Sequence, residues 1–224
     1  MTNIIGTRTF ILANRVSKNY HFEELARNQE FLAIRLFLEE NEDQLLAESV
    51  IAALPHLAHY QAIDIFEQLF NYPSINPNND LIYKISLKAH QTASVTILEL
   101  ILNSPKFIEL DIYFISICLN HINAFVPQSI TKLLNQPMAL YLSKPELESA
   151  LKDLILNDNI FNIQAFLNSD IINHLSLDTI ADAYTFATME NQQNSLLLFE
   201  NYLDINDCVI DNLTSYQENA INIL

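Results

Sequence analysis

Glycine is all but missing from these 224 residues, Gly6 being the only one. Such a chain has few positions that reach positive φ without steric cost, which argues against hairpin-rich sheets and glycine-rich phosphate loops. The P-loop, the dinucleotide-binding fingerprint and the GxSxG elbow all need glycines at fixed places, and none occurs; HExxH is absent too. Tryptophan is missing as well. Two cysteines, Cys118 and Cys208, make no disulfide framework and suit a reducing compartment. Long apolar runs are lacking near the amino terminus, where "TFILA" is flanked by Arg8 and Arg15. That is too short and too polar for a signal peptide or a membrane span, so a soluble protein with no readable export signal is expected.

Positive charge is the other shortage. Eleven Lys and Arg stand against 27 Asp and Glu, for a net charge of −16. No basic residue occurs in 36–83 or after Lys152, and residues 153–224 carry eleven acids. Such a surface repels phosphate backbones and has no polybasic patch for anionic lipid. Nucleic acid and membrane insertion are therefore excluded as expectations, and a protein partner with a basic surface is favoured.

What the chain has is Leu, Ile, Asn and Glu, with 50% of residues hydrophobic, enough for a substantial core. An all-α fold is expected. Taking an Asn near the end of each amphipathic segment as a marker gives Asn71, Asn103, Asn135, Asn168 and Asn201, at intervals of 32, 32, 33 and 33. Two residues before each marker stand Leu69, Ile101, Leu133, Phe166 and Phe199; five before stand Phe66, Leu98, Ile130, Ile163 and Leu196. All are apolar, at the i,i+3 spacing of one helix face. Pro73, Pro105 and Pro137 follow two after the marker and stop the helix, with Asn as a tolerable left-handed cap. Four after it come Ile75, Phe107, Ala139, Ile172 and Ile205, read as apolar pins for each connection.

An earlier helix is legible in each interval. "SKPELESALKDLIL" begins with Ser143 and Glu146 at capping-box spacing, and "SLDTIADAYTFA" with Ser176 and Asp178. Asp80 and Asp111 favour the positive ends of two more. One such pair cannot bury its apolar face alone, whereas stacked neighbours can. The expected architecture is a helical-pair solenoid of ~33-residue repeats with an amino-terminal capping segment (1–40), an array (41–207) and a carboxy-terminal cap or tail (208–224).

A 33-residue period with two helices resembles the ankyrin repeat, best in "KAHQTASVTILELILN" (88–103) and in the exit "LFENYLDIND" (198–207). The resemblance covers roughly residues 76–207. The ankyrin Thr-Pro-Leu-His tetrapeptide and the turn glycines are absent, so it implies short loops in place of hairpin fingers; a HEAT-like or other αα-solenoid is the alternative. Degenerate, Asn- and Ile-rich arrays of this style resemble those of secreted effectors of intracellular bacteria such as Legionella, which implies delivery into a host cytosol.

Candidate chemistry is thin. Cys118 and His121 lie three apart on an expected helix, a thiolate–imidazole spacing, but in one of the most apolar stretches, where a core cysteine is the better reading. His56 and His59 share a helix face but have no Cys or acidic companions at ligand spacing. His59, His90 and His121 recur 31 apart as repeat positions. Glu39, Glu40, Glu42 and Asp43 read as a solvated helix end. No catalytic residue, metal or cofactor is assigned; the alternatives are an enzyme with an unrecognised site and an interaction region of a larger protein. If the chain follows ankyrin habit, the partner-binding residues are Asp80, Asp111, Lys144 and Asp178 at helix starts, with Asp182 and Glu190 extending an acidic surface.

Overall fold

The structure, a computed structural model, describes residues 22–41, 46–106 and 109–205. The side chains of Glu40, Asn41, Asp204 and Ile205 fall outside that description, as do Cys208, Phe107, Glu42, Asp43, residues 1–21 and the tail from 206 onward. Every regular element among the described residues is helical, and no strand occurs there. The helices are α1 (22–27), α2 (Phe31–Asn41), α3 (Ala47–His59), α4 (Ile63–Phe70), α5 (Asn79–Gln91) and α6 (Val95–Asn103). They continue with α7 (Ile112–Leu119), α8 (Pro127–Leu134), α9 (Lys144–Leu156), α10 (Ile160–Leu167), α11 (Leu177–Met189) and α12 (Gln193–Ile205). No described helix is long and apolar enough to cross a membrane. The chain forms two compact units, Met1–Phe107 and Ile108–Leu224.

In the first unit α3 packs on both α4 and α5, α5 on α6, and α4 on α6. In the second, α7 packs on α8 and α9, α9 on α10 and α11, α8 on α10, and both α10 and α11 on α12. Within each unit, first helices thus lie beside first helices and second beside second. The apolar i,i+3 positions explain this order. Leu69, Ile101, Leu133, Phe166 and Phe199 are all buried, as are Phe66, Leu98, Ile130 and Ile163. Of the expected pins, Ile75, Ala139 and Ile172 are buried too.

The marker asparagines need a correction. Asn71, Asn135 and Asn168 close α4, α8 and α10 with φ of −82°, −91° and −90°, so none is a left-handed cap. Asn103 is the last residue of α6, and Asn201 lies inside α12. The left-handed residues are Gln29, Gln61, Ala93, Asp158 and Asn191, in the tight turn inside a helix pair. Each closes a first helix with the same double bond: Ala62 N–H reaches the Leu57 carbonyl and Gln61 N–H that of Ala58; Ser94 and Ala93 do likewise on Ala89 and His90. Asn159 and Asp158 repeat it on Leu154 and Ile155. This is the Schellman arrangement, which usually recruits glycine.

Ala93 holds this conformation at φ 51° with its Cβ against its own backbone and no polar side-chain group to offset the cost. Ala93→Gly should therefore stabilise the protein by about 0.5–1 kcal/mol, the relief of that clash exceeding the added freedom of the unfolded chain. Thermal melting should show a rise of about 2–3 °C; a fall would mean that the turn does not hold this conformation.

Neighbouring pairs are also tied through polar groups. Lys106 Nζ donates to the carbonyls of Phe70 (2.7 Å), Tyr72 (2.9 Å) and Ile75 (2.9 Å), closing the end of α4 from the following pair. Gln61 Nε2 donates to the Thr92 carbonyl of the next turn, and Gln192 Nε2 to that of Leu156. Asp158 accepts from the N–H and Oγ of Ser195 and from Asn194 Nδ2, capping α12 from a different pair. The α7–α8 connection alone lacks a left-handed residue among the described pairs and uses a 3₁₀ turn, Ile122–Ala124, with Pro127 opening α8. Its inward carbonyls are met by buried Asn162, whose Nδ2 lies 2.9 Å from the Phe125 oxygen and 3.3 Å from that of Ile122.

Candidate functional site

A half-open groove of about 440 Å³ lies between α7 and α9. Helical spacing builds both walls. Ser116 and Asn120 stand four apart on α7 and its cap, while Glu146, Ser149 and Asp153 follow i, i+3, i+7 on α9. Leu119, Pro145 and Ala150 supply the apolar floor.

Glu146 is the best-held group there. Its Oε1 accepts from Ser116 Oγ at 2.7 Å, and its Oε2 from the N–H (2.9 Å) and Oγ (2.6 Å) of Ser143. The expected capping box of Ser143 and Glu146 is therefore present, and the Ser143 hydroxyl also lies against the carboxylate. Hydrogen bonds from Ser143, then Ser116, hold this carboxyl below its ordinary range against a smaller opposing effect of burial. Glu146 is a fixed negative charge near neutral pH, unsuited to giving up a proton. No Lys, Arg or His lines the groove. Beyond it, Asp182, Glu148, Lys152 and Thr179 border a hollow of about 30 Å³ between α9 and α11.

The residues expected at helix starts are mostly engaged in local structure. Asp80 pairs with Lys84 at 2.7 Å in the first turn of α5, where Asn78, not Asp80, is the cap. Asp111 caps α7, accepting from the N–H groups of Tyr113 and Phe114. Lys144 lies 3.5 Å from Glu148 and 3.4 Å from Ser176 Oγ. Asp178 and Asp182 are exposed on α11, and Glu190 is exposed at its cap. Asp178 and Glu190 stand at opposite ends of that helix, about 18 Å apart at 1.5 Å per residue. The α9–α11 contact brings Lys144 to the start of α11 and Asp182 beside Glu148; it does not gather all the acids.

The histidine and cysteine readings also resolve. Cys118 is fully buried near the end of α7, which finishes at Leu119. His121 lies beyond the helix, donating its N–H to the Cys118 carbonyl. His56 and His59 are both on α3; burial, then the nearby Arg27 charge, lowers the pKa of His56. The His59 Nδ1 is buried without a hydrogen-bond partner among the described residues, its ring edge-on to Tyr60. No group of three or more His, Cys, Asp or Glu side chains suited to a metal gathers among the described residues.

Sequence reasoning missed Ser116, Asn120, Ser149 and Asp153 as a set, since they come from two helices about 30 residues apart. The available signal was the polar stripe of α9 together with Asp153 in its last turn. No family model, curated protein or solved structure matches the chain.

Proposed function

We propose that the chain is a protein–protein interaction module with no chemistry of its own: a helical-pair solenoid of ~33-residue, ankyrin-like units with capping segments. It binds a basic protein surface through its first helices. One observation carries the reading. The packing of α9 on α7 sets Glu146 and Asp153 in a groove without a cation in its lining, and its packing on α11 brings Glu148 and Asp182 to one hollow beside Lys152. Side-by-side first helices are how repeat stacks build extended binding surfaces. A carboxylate fixed in its ionised form suits recognition of positive charge better than proton transfer. Following the style of effector arrays, the partner is a host protein and the site of action a host cytosol.

Affinity capture from host-cell lysate, followed by kinetics on the captured partner, tests this. Exposed charges are screened beyond about 8 Å at physiological salt, so the acidic surface should act on encounter. Association is expected to slow about tenfold or more from low to high salt, with dissociation nearly constant. Combined Asp178→Asn, Asp182→Asn and Glu190→Gln should slow association about threefold and move the melting temperature by only a few degrees. An association rate indifferent to ionic strength would leave the acids with a role in solubility alone.

A further inference from the structure

The geometry points to the α7–α9 groove as a docking slot for an arginine side chain that the partner presents next to an apolar residue. This rests on the interaction reading above and gives the partner's contact segment a chemistry.

Charge complementarity is the first argument. The groove holds two carboxylates, Glu146 and Asp153, with the hydroxyls of Ser116 and Ser149 and the amide of Asn120, and no basic side chain. The nearest lysine in sequence, Lys152, turns instead toward the Phe186 ring, 6.0 Å from its centre. Lys144, which precedes the groove-lining Pro145, lies 3.5 Å from Glu148.

Asp153 supplies the second, because the fold gives no account of it. It sits in the last turn of α9, which has no basic residue in that turn, so its charge faces the negative end of the helix dipole. Asp153 is half-buried, and its carboxylate takes part in no hydrogen bond or ion pair with a described residue; only its backbone carbonyl is used, by Asn123 and Asn157. An unpaired acid placed against the dipole is a local cost that an incoming cation relieves.

Size and rim select the cation. Glu146 and Asp153 are seven residues apart, about 10 Å along the helix, too far for one ammonium to meet both. A guanidinium with five donors can bond Asp153 and still reach the hydroxyls between, and the groove's volume falls within the ~300–1,000 Å³ of ligand sites. Tyr113, one turn before Ser116 on the same face of α7, is 65% exposed. Tyr141, on the 3₁₀ turn that packs against α7, is 72% exposed. Aromatic faces there suit both the stem of an arginine and an apolar neighbour.

The test uses the full chain and a fluorescein-labelled peptide of repeated Arg-Leu-Gly, with Lys-Leu-Gly and Glu-Leu-Gly counterparts, read by anisotropy at physiological salt. Asp153→Asn should weaken the arginine peptide at least tenfold without lowering the melting temperature, since the dipole clash goes with the charge. Asp170→Asn, an equal charge change on an exposed position of the same unit, should weaken it less than twofold. The lysine peptide should bind several-fold more weakly and the glutamate peptide not at all. Equal losses in the two variants would overturn the slot in favour of a general acidic field, and so would an unchanged affinity in Asp153→Asn. A lysate partner whose salt-dependent association survives Asp153→Asn would overturn the slot while leaving the interaction reading intact. A slot that binds the peptide as described in a chain that captures no salt-sensitive partner would sink the interaction reading instead.

Discussion

Leu133→Asp should lower the melting temperature by about 10 °C or more, from a loss of about 4 kcal/mol. Leu133 is fully buried on α8, which packs on α7 and α10. The substitution forfeits about 2 kcal/mol of apolar burial and puts a carboxylate into a fully buried apolar position. The chain has only about 5–15 kcal/mol to lose, so the variant sits near the edge of folding. Because α8 and α10 lean on each other, the damage should spread: hydrogen exchange is expected to quicken in α10 as well as α8. Leu133→Met, which keeps the volume, should cost less than about 1.5 kcal/mol. A melting temperature unmoved by the aspartate would mean that another face of α8 is inward.

Asn162→Leu is expected to cost about 3 kcal/mol despite its near-equal shape. The leucine leaves no cavity, but the carbonyls of Ile122 and Phe125 lose the amide that reaches them from α10. A buried acceptor stripped of its donor costs ~1–3 kcal/mol. Asn162→Asp separates this from packing. An ionised aspartate cannot donate and faces carbonyl oxygens, so its folded pKa lies above the unfolded ~3.9. A raised folded value gives stability that is present at low pH and lost as pH rises through that value. The aspartate variant should therefore be more stable relative to the leucine variant at about pH 4 than at pH 7, by urea unfolding at both. A pH-independent difference between the two would remove the hydrogen bonds from the explanation.

Apolar spacing carried most of what could be read in advance. Leu69, Ile101, Leu133, Phe166 and Phe199 face inward because a helix that buries one face must repeat at three and four residues. The turns were less legible. A search for left-handed positions naturally follows glycine and then asparagine, yet Gln61, Ala93 and Asp158 take those conformations. Tertiary burial of the flanking helices outweighs a local cost of about 1 kcal/mol, and composition cannot reveal that exchange. The groove was hidden for another reason. Ser116 and Glu146 meet only because α7 and α9 pack, and a contact between helices leaves no fixed spacing in the chain. Helix-start acids were legible, but Asp80 and Asp111 are there for Lys84 and for the backbone of α7.

The polar ties between pairs have a consequence for how the chain avoids misassembly. Apolar faces built to one pattern are nearly interchangeable, so a helix pair emerging from synthesis could settle against the wrong neighbour at little cost. The ties are not interchangeable. Gln61 needs the Thr92 carbonyl, Lys106 the end of α4, Asp158 the hydroxyl of Ser195, and Asn162 the α7–α8 connection. Each is a different key for a different lock, and a pair docked one place out would meet oily surface but strand its own amide, ammonium or carboxylate. Correct order is written in the few residues that do not repeat.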